Sequence, residues 1–262
     1  MASEPDSLGD WRQTWAEKLA VPQPLLREAI VSLSCLFAGT TLVAIALSLL
    51  PELSWDFVAW ALLCAAVIFV LALGALADHP FARFGHANLV TAFRAALVSL
   101  VGAGVFCFEH LASSHGVLFG LVALVVFALV LDGVDGYLAR RQGLESDFGA
   151  RFDMEVDSLL ILILSAAAAL LDKAGPWVLM IGLMRYAFVM AGWFEPRLNG
   201  PLFPSLRRKI ICVLQIAALC LLLVPVVVSP VSTVIAVLAL LLLVYSFAVD
   251  IRHLLRHPVA PA

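Results

Sequence analysis

Residues 131–159 read LDGVDGYLARRQGLESDFGARFDMEVDSL, an acidic interruption in a chain that is otherwise largely apolar. Asp132 and Asp135 are three residues apart at the end of one apolar run. Asp153 and Asp157 are four apart at the start of the next, which is continuously apolar from Leu159. Both spacings put a pair of side chains on one face of an α-helix. The stretch therefore predicts two helices joined as antiparallel neighbours, with their acidic faces meeting. Four carboxylates at the ends of apolar helices repel one another and resist desolvation, so a positive partner is required. Oxygen ligands without His or Cys suit Mg²⁺ or Mn²⁺. Four carboxylates are enough for two ions, an arrangement suited to phosphoryl transfer. The plainer alternative is a solvated acidic helix end paired with Arg140, Arg141 and Arg151. Gly136, Ala139 and Gly149 lie on the same two helices. Small residues there let a ligand approach the backbone or let helices pack closely in a membrane.

Outward from this segment, composition sets the solvent. Hydrophobic residues are 63% of the 262 and charged residues only 13%, and the mean hydropathy is +1.04. Soluble domains are about half apolar and a quarter charged. A chain this apolar is solvated by lipid, and the expected fold is an all-α polytopic membrane helix bundle. A spanning helix needs about 20 mainly apolar residues. Eight stretches qualify: 29–50, 57–77, 89–109, 116–138, 152–171, 176–194, 210–229 and 231–249. Arg94 falls near the start of the third and Arg185 interrupts the sixth. No internal repeat is visible.

Loop charge gives the orientation. With the N-terminus placed in the cytoplasm, 13 of the 16 basic residues fall on inner segments and only Lys173 on an outer one. Both termini are therefore expected inside, with the acidic cluster at the cytoplasmic face, as for a multi-pass protein of a bacterial inner membrane. The polar first 28 residues contain no apolar segment of signal-peptide type. Leu8, Trp11, Trp15 and Leu19 recur at helical spacing, as in a helix lying on the membrane surface. The cysteines Cys35, Cys64, Cys107, Cys212 and Cys220 form no CxxC pair, which points away from zinc or a disulfide framework. No basic patch broad enough for nucleic acid is present.

Residues 132–157 fit D-x2-D-G-x2-A-R-x8-G-x3-D-x3-D without a gap, through Asp132, Asp135, Gly136, Ala139, Arg140, Gly149, Asp153 and Asp157. This resembles the signature of the CDP-alcohol phosphatidyltransferase family. The resemblance implies a six-helix catalytic core, here residues 86–250. An additional two-helix hairpin and linker at 29–85 precedes it, after the N-terminal segment 1–28, and a tail at 251–262 follows. It implies that Asp132, Asp135 and Asp153 hold two Mg²⁺ or Mn²⁺ ions, with Asp157 close to them as general base. It implies that Gly136, Ala139, Arg140 and Gly149 hold the CDP moiety. Asn88, Thr91 and Arg94 match a looser N-x2-T-x2-R pattern at a helix end that helps form the nucleotide pocket in the family. The activity implied is transfer of the phosphatidyl group of a CDP-linked lipid donor to a small polar alcohol with release of CMP, in phospholipid biosynthesis, by a homodimer.

Downstream, Lys209 and Gln215 resemble the lysine and glutamine of a G-K-x-K-T-x2-Q element near the family's acceptor site. Arg208, Ile211 and Cys212 replace its glycine, second lysine and threonine, which leaves the acceptor open. Glycerol 3-phosphate is favoured by the arginines near the cytoplasmic face. Transfer from CDP-choline or CDP-ethanolamine to diacylglycerol is the alternative within the family. Arg207, Arg208 and Lys209 also read simply as a positive-inside anchor that attracts anionic lipid. Arg185 is costly mid-helix and is expected to face the interior, pairing with an acid or binding a phosphate. Two other classes fit the sequence less well: a non-enzymatic cation-binding transporter or channel, and an inactive family member. The first would place ionisable residues near mid-bilayer in several helices, whereas here they gather at one helix end. The second is disfavoured by the intact signature.

Overall fold

The computed structural model describes residues 21–51, 53–79, 81, 83–107, 114–142, 146–200 and 205–256. Among them are eight α-helices and no strand: α1 (Gln23–Ser48), α2 (Trp55–Gly74), α3 (His86–Phe106), α4 (His115–Gln142), α5 (Asp147–Leu170), α6 (Leu179–Phe194), α7 (Leu206–Leu223) and α8 (Val231–Arg256). The surface helix expected around Leu8–Leu19 lies outside the described residues.

Among the described residues, six segments are long and apolar enough to cross a membrane: α1, α2, α3, the first part of α4, Pro176–Phe194 and α8. The protein is an integral membrane helix bundle. The remaining two helices expected to span carry the charge. Asp147, Arg151, Asp153, Glu155 and Asp157 crowd the first half of α5, and Arg207, Arg208 and Lys209 the first turn of α7. Helix ends also differ from the apolar limits. α1 begins at Gln23, with Pro24 in its first turn, where a missing N–H costs nothing. Leu25 is already fully buried there, so residues 23–28 belong to the first helix rather than to a surface segment.

α3 is the axis of the bundle. It packs against α1, α2, α4 and α5, and 15 of its 21 residues are buried. The reason is its small residues. Ala92, Ala95, Ala96, Gly102, Ala103 and Gly104 leave room for neighbouring backbones, as close packing in a membrane demands. Gly85 precedes α3 with φ +81°, a conformation that glycine adopts without penalty.

Among the described residues α4 and α5 each pack on α3, and α7 contacts both. Asp132 of α4 still comes together with Asp153 and Asp157 of α5, so the two acidic faces meet as expected. The α1–α2 hairpin braces the same end of the bundle. Glu28 accepts from the Phe84 N–H at 3.3 Å, and Phe84 and His79 pack against Phe148 in the first turn of α5. Toward the other end, the buried Lys173 ties two loops together by donating to the carbonyls of Val224 (3.2 Å) and Val227 (2.8 Å).

Candidate active site

Asp132 lies on α4, and Asp153 and Asp157 lie one turn apart on α5. One carboxylate oxygen from each falls within 4.8 Å of the others. α5 is started for this purpose by Ser146, whose Oγ accepts from the Gly149 N–H at 3.0 Å, satisfying one of the open donors of the first turn. Gly149 is needed for a second reason. A Cβ there would stand 2.7 Å from Asn88 Oδ1 on α3 and 3.2 Å from Ser146 Oγ. The glycine thus lets the starts of α3 and α5 close on each other, one turn above the aspartates. Asn88 is held in place, its Nδ2 donating to the Phe84 carbonyl at 2.6 Å. Thr91 is buried and donates to the Ala87 carbonyl at 3.2 Å.

At the centre of the three carboxylates sits Arg94, only 1% exposed. Its Nη1 donates to Asp153 Oδ1 and lies 3.2 Å from Asp132 Oδ1; its Nη2 donates to Asp157 Oδ1. Its Nε donates to the Ala128 carbonyl at 3.2 Å, one turn ahead of Asp132. In sequence Arg94 was only one position of a loose pattern. Its burial inside a span was the available signal, because a charge at membrane depth requires an opposite charge nearby. Cys212 on α7 completes this wall, its Sγ donating to Asp157 Oδ2 at 3.5 Å. The position where the sequence departs from the family's threonine is therefore in contact with the acidic cluster.

Asp135, Gly136, Ala139 and Arg140 lie on the last turns of α4, and their side chains are outside the described residues. Other expected residues find different partners. Arg185 on α6 pairs with Glu155, midway between Asp153 and Asp157 and so, at 3.6 residues per turn, on the opposite side of α5 from the cluster. Of the two partners considered for it in sequence, the structure supplies the acid. Arg207 donates to the Ser246 carbonyl at 2.7 Å and to Asp250, and Arg208 to Asp250 at 3.4 Å, joining α7 to α8. Lys209 is exposed. Gln215 is fully buried and donates to the Ala239 carbonyl at 2.7 Å. It brackets α7 and α8.

The residues present fit divalent metal. Three carboxylates converge on one point, in an all-oxygen set suited to Mg²⁺ or Mn²⁺, at a polar helix end rather than in the apolar middle. The family comparison agrees with this chemistry. The model of the CDP-alcohol phosphatidyltransferase family matches residues 84–245, more than half of the chain. The chain belongs to that family. No curated protein and no solved structure matches it. Membership makes the protein a transferase of phospholipid synthesis that acts on a CDP-alcohol donor and an alcohol acceptor.

Proposed function

We propose that the protein transfers the phosphatidyl group of CDP-diacylglycerol to a small polar alcohol and releases CMP. The observation that carries this reading is the convergence of Asp132, Asp153 and Asp157 within 4.8 Å, in a chain whose family uses CDP-alcohols. Asp132, Asp135 and Asp153, with Asp157 adjacent, would hold two Mg²⁺ or Mn²⁺ ions, which when bound would neutralise charge at the donor diphosphate. Asn88, Thr91, Gly136, Ala139, Arg140 and Gly149 hold the CDP moiety, Arg140 supplying a positive charge for its phosphates. Asp157 takes the proton of the acceptor hydroxyl, which is a poor nucleophile until it is deprotonated. The acceptor oxygen then bonds to the phosphatidyl phosphorus, the bond from that phosphorus to the CMP oxygen breaks, and CMP leaves with the electron pair.

The acceptor enters from the cytoplasm, at the face of a bacterial inner membrane. Glycerol 3-phosphate is the first candidate, with Arg208 and the exposed Lys209 near its path. Arg207 and Arg208 are already engaged by Asp250, and Arg185 by Glu155, so Lys209 carries most of this preference. The same site would serve transfer from CDP-choline or CDP-ethanolamine to diacylglycerol. A homodimer is proposed by resemblance to the family.

The experiment separates chemistry from binding. Asp157→Asn should lose turnover by about 10²–10⁴-fold, the usual worth of a general base, while keeping donor affinity within a few-fold. Asp132→Asn should lose both. Calorimetric titration with CDP-diacylglycerol in Mn²⁺, beside a CMP-release assay, reads the contrast. Equal loss of donor affinity in the two variants would make Asp157 a metal ligand first and remove it as the base.

A further inference from the structure

Arg94 occupies the place where a cation is wanted. Its Nη1 lies between Asp132 Oδ1 and Asp153 Oδ1, and its Nη2 is bonded to Asp157 Oδ1. These three residues are also the ones whose oxygens come within 4.8 Å of one another. Oxygens on opposite sides of an Mg²⁺ ion stand about 4.2 Å apart, twice a bond length of about 2.1 Å. A single ion would draw the carboxylates closer than this limit, and the space between them is now taken by a guanidinium.

The arginine is also fixed at its root. It is 1% exposed, and its Nε donates to the Ala128 carbonyl at 3.2 Å. No other arrangement in the described part of the bundle gives three carboxylates a single buried cation. Without that cation they would face one another in a low-dielectric setting, where burying unpaired charge is costly. With the cation in place, a divalent ion that takes the same oxygens meets a positive charge at bonding distance.

Resting on the metal-dependent reading above, we propose that Arg94 is a built-in placeholder cation. It holds the acidic cluster together in the metal-free protein, competes with the divalent ions for Asp132 and Asp153 while neutralising the adjacent Asp157, and is displaced when metal binds. It is a positioning residue that sets the metal affinity. Apparent affinity falls by the fraction of molecules in which the site is competent, so removing the competitor strengthens metal binding while weakening the metal-free fold. A residue that merely orients the ligands has the opposite signature: its loss weakens metal binding.

The test uses the full chain purified in mild detergent. Wild type, Arg94→Met and Arg94→Lys are titrated with Mn²⁺ by calorimetry and melted in chelator and in Mn²⁺. Arg94→Met should melt below wild type in chelator and gain more from Mn²⁺. It should bind Mn²⁺ at least about tenfold more tightly, the factor expected if nine molecules in ten of the wild type hold the plugged state. Arg94→Lys keeps a charge but cannot bridge three carboxylates, so its Mn²⁺ affinity should fall between the two. It decides the matter if Arg94→Met does not fold. Mn²⁺ binding equal to or weaker than wild type in a folded variant would overturn the proposal. Neither readout needs turnover. A wild type that binds Mn²⁺ yet releases no CMP from any CDP-alcohol would sink the transferase reading and leave the competition result standing.

Discussion

Replacing Gly149 by alanine should damage both fold and activity, although the same exchange in an exposed helix interior would stabilise by about 1 kcal/mol. The new Cβ would stand 2.7 Å from Asn88 Oδ1 and 3.2 Å from Ser146 Oγ. The first distance is shorter than real contacts allow, so a group must move. Asn88 cannot retreat freely, because its Nδ2 is bonded to the Phe84 carbonyl at 2.6 Å. Breaking that bond costs about 1 kcal/mol, and overpacking a close helix crossing costs about 1–3 kcal/mol. Against a propensity gain of about 1 kcal/mol, the net loss is about 1–3 kcal/mol. The alternative relaxation moves the start of α5 away from α3, carrying Asp153 with it. A displacement near 1 Å at a catalytic group is worth about 10²-fold in rate. Thermal melting and CMP release on the same preparation read both effects. Asn88→Ala in the Gly149→Ala background removes the atom that is struck, so the double variant should recover stability relative to Gly149→Ala. Wild-type stability and turnover in Gly149→Ala, or no recovery in the double variant, would refute the close approach.

Other substitutions probe other contacts. At the α5–α6 crossing, a Cβ on Gly182 would meet the backbone Cα of Leu162 at 2.6 Å and would also strike Ser165 Oγ. Backbone cannot swing aside, so Gly182→Ala should destabilise by about 2 kcal/mol or more, read as a lower melting midpoint. Asp153→Asn keeps the shape but removes a charge the cations need; turnover should disappear, together with the upward melting shift that Mn²⁺ gives the wild type. Cys212 touches Asp157. Cys212→Thr keeps a donor of similar size and should retain turnover within about tenfold, whereas Cys212→Leu, which removes the donor to a buried carboxylate, should cost about 1–3 kcal/mol in stability, seen in melting.

Much of the architecture was readable because lipid is a demanding solvent. A helix in hydrocarbon satisfies its backbone internally and must be apolar; the eight runs correspond to eight helices among the described residues, six of them with segments long and apolar enough to cross. Their ends were harder to read, because hydropathy marks the hydrocarbon and not the last hydrogen-bonded turn. α8 continues to Arg256 and α5 starts at Asp147. Ser146, a good N-cap residue, was the overlooked sign of the latter. The spacing of Asp132, Asp153 and Asp157 led directly to the cluster. Arg94 was noticed only as part of a motif, since its role depends on α3 running between α4 and α5, and no local pattern encodes that placement. Gln215 was read toward the acceptor and instead brackets α7 and α8. Cys212 stands in sequence only as a departure from the family's threonine; its contact with Asp157 depends on how α7 packs on α5.

The central claim is metal-dependent transfer from a CDP-alcohol at the Asp132–Asp153–Asp157 cluster. Its most direct test is CMP release by the purified protein supplied with CDP-diacylglycerol, Mn²⁺ and a panel of alcohols including glycerol 3-phosphate, run beside Asp153→Asn and with excess chelator. CMP should appear with at least one acceptor in the wild type, and not in the variant or in chelator. Turnover that persists in chelator or in Asp153→Asn, or no CMP from any donor and acceptor pair including CDP-choline with diacylglycerol, would contradict it.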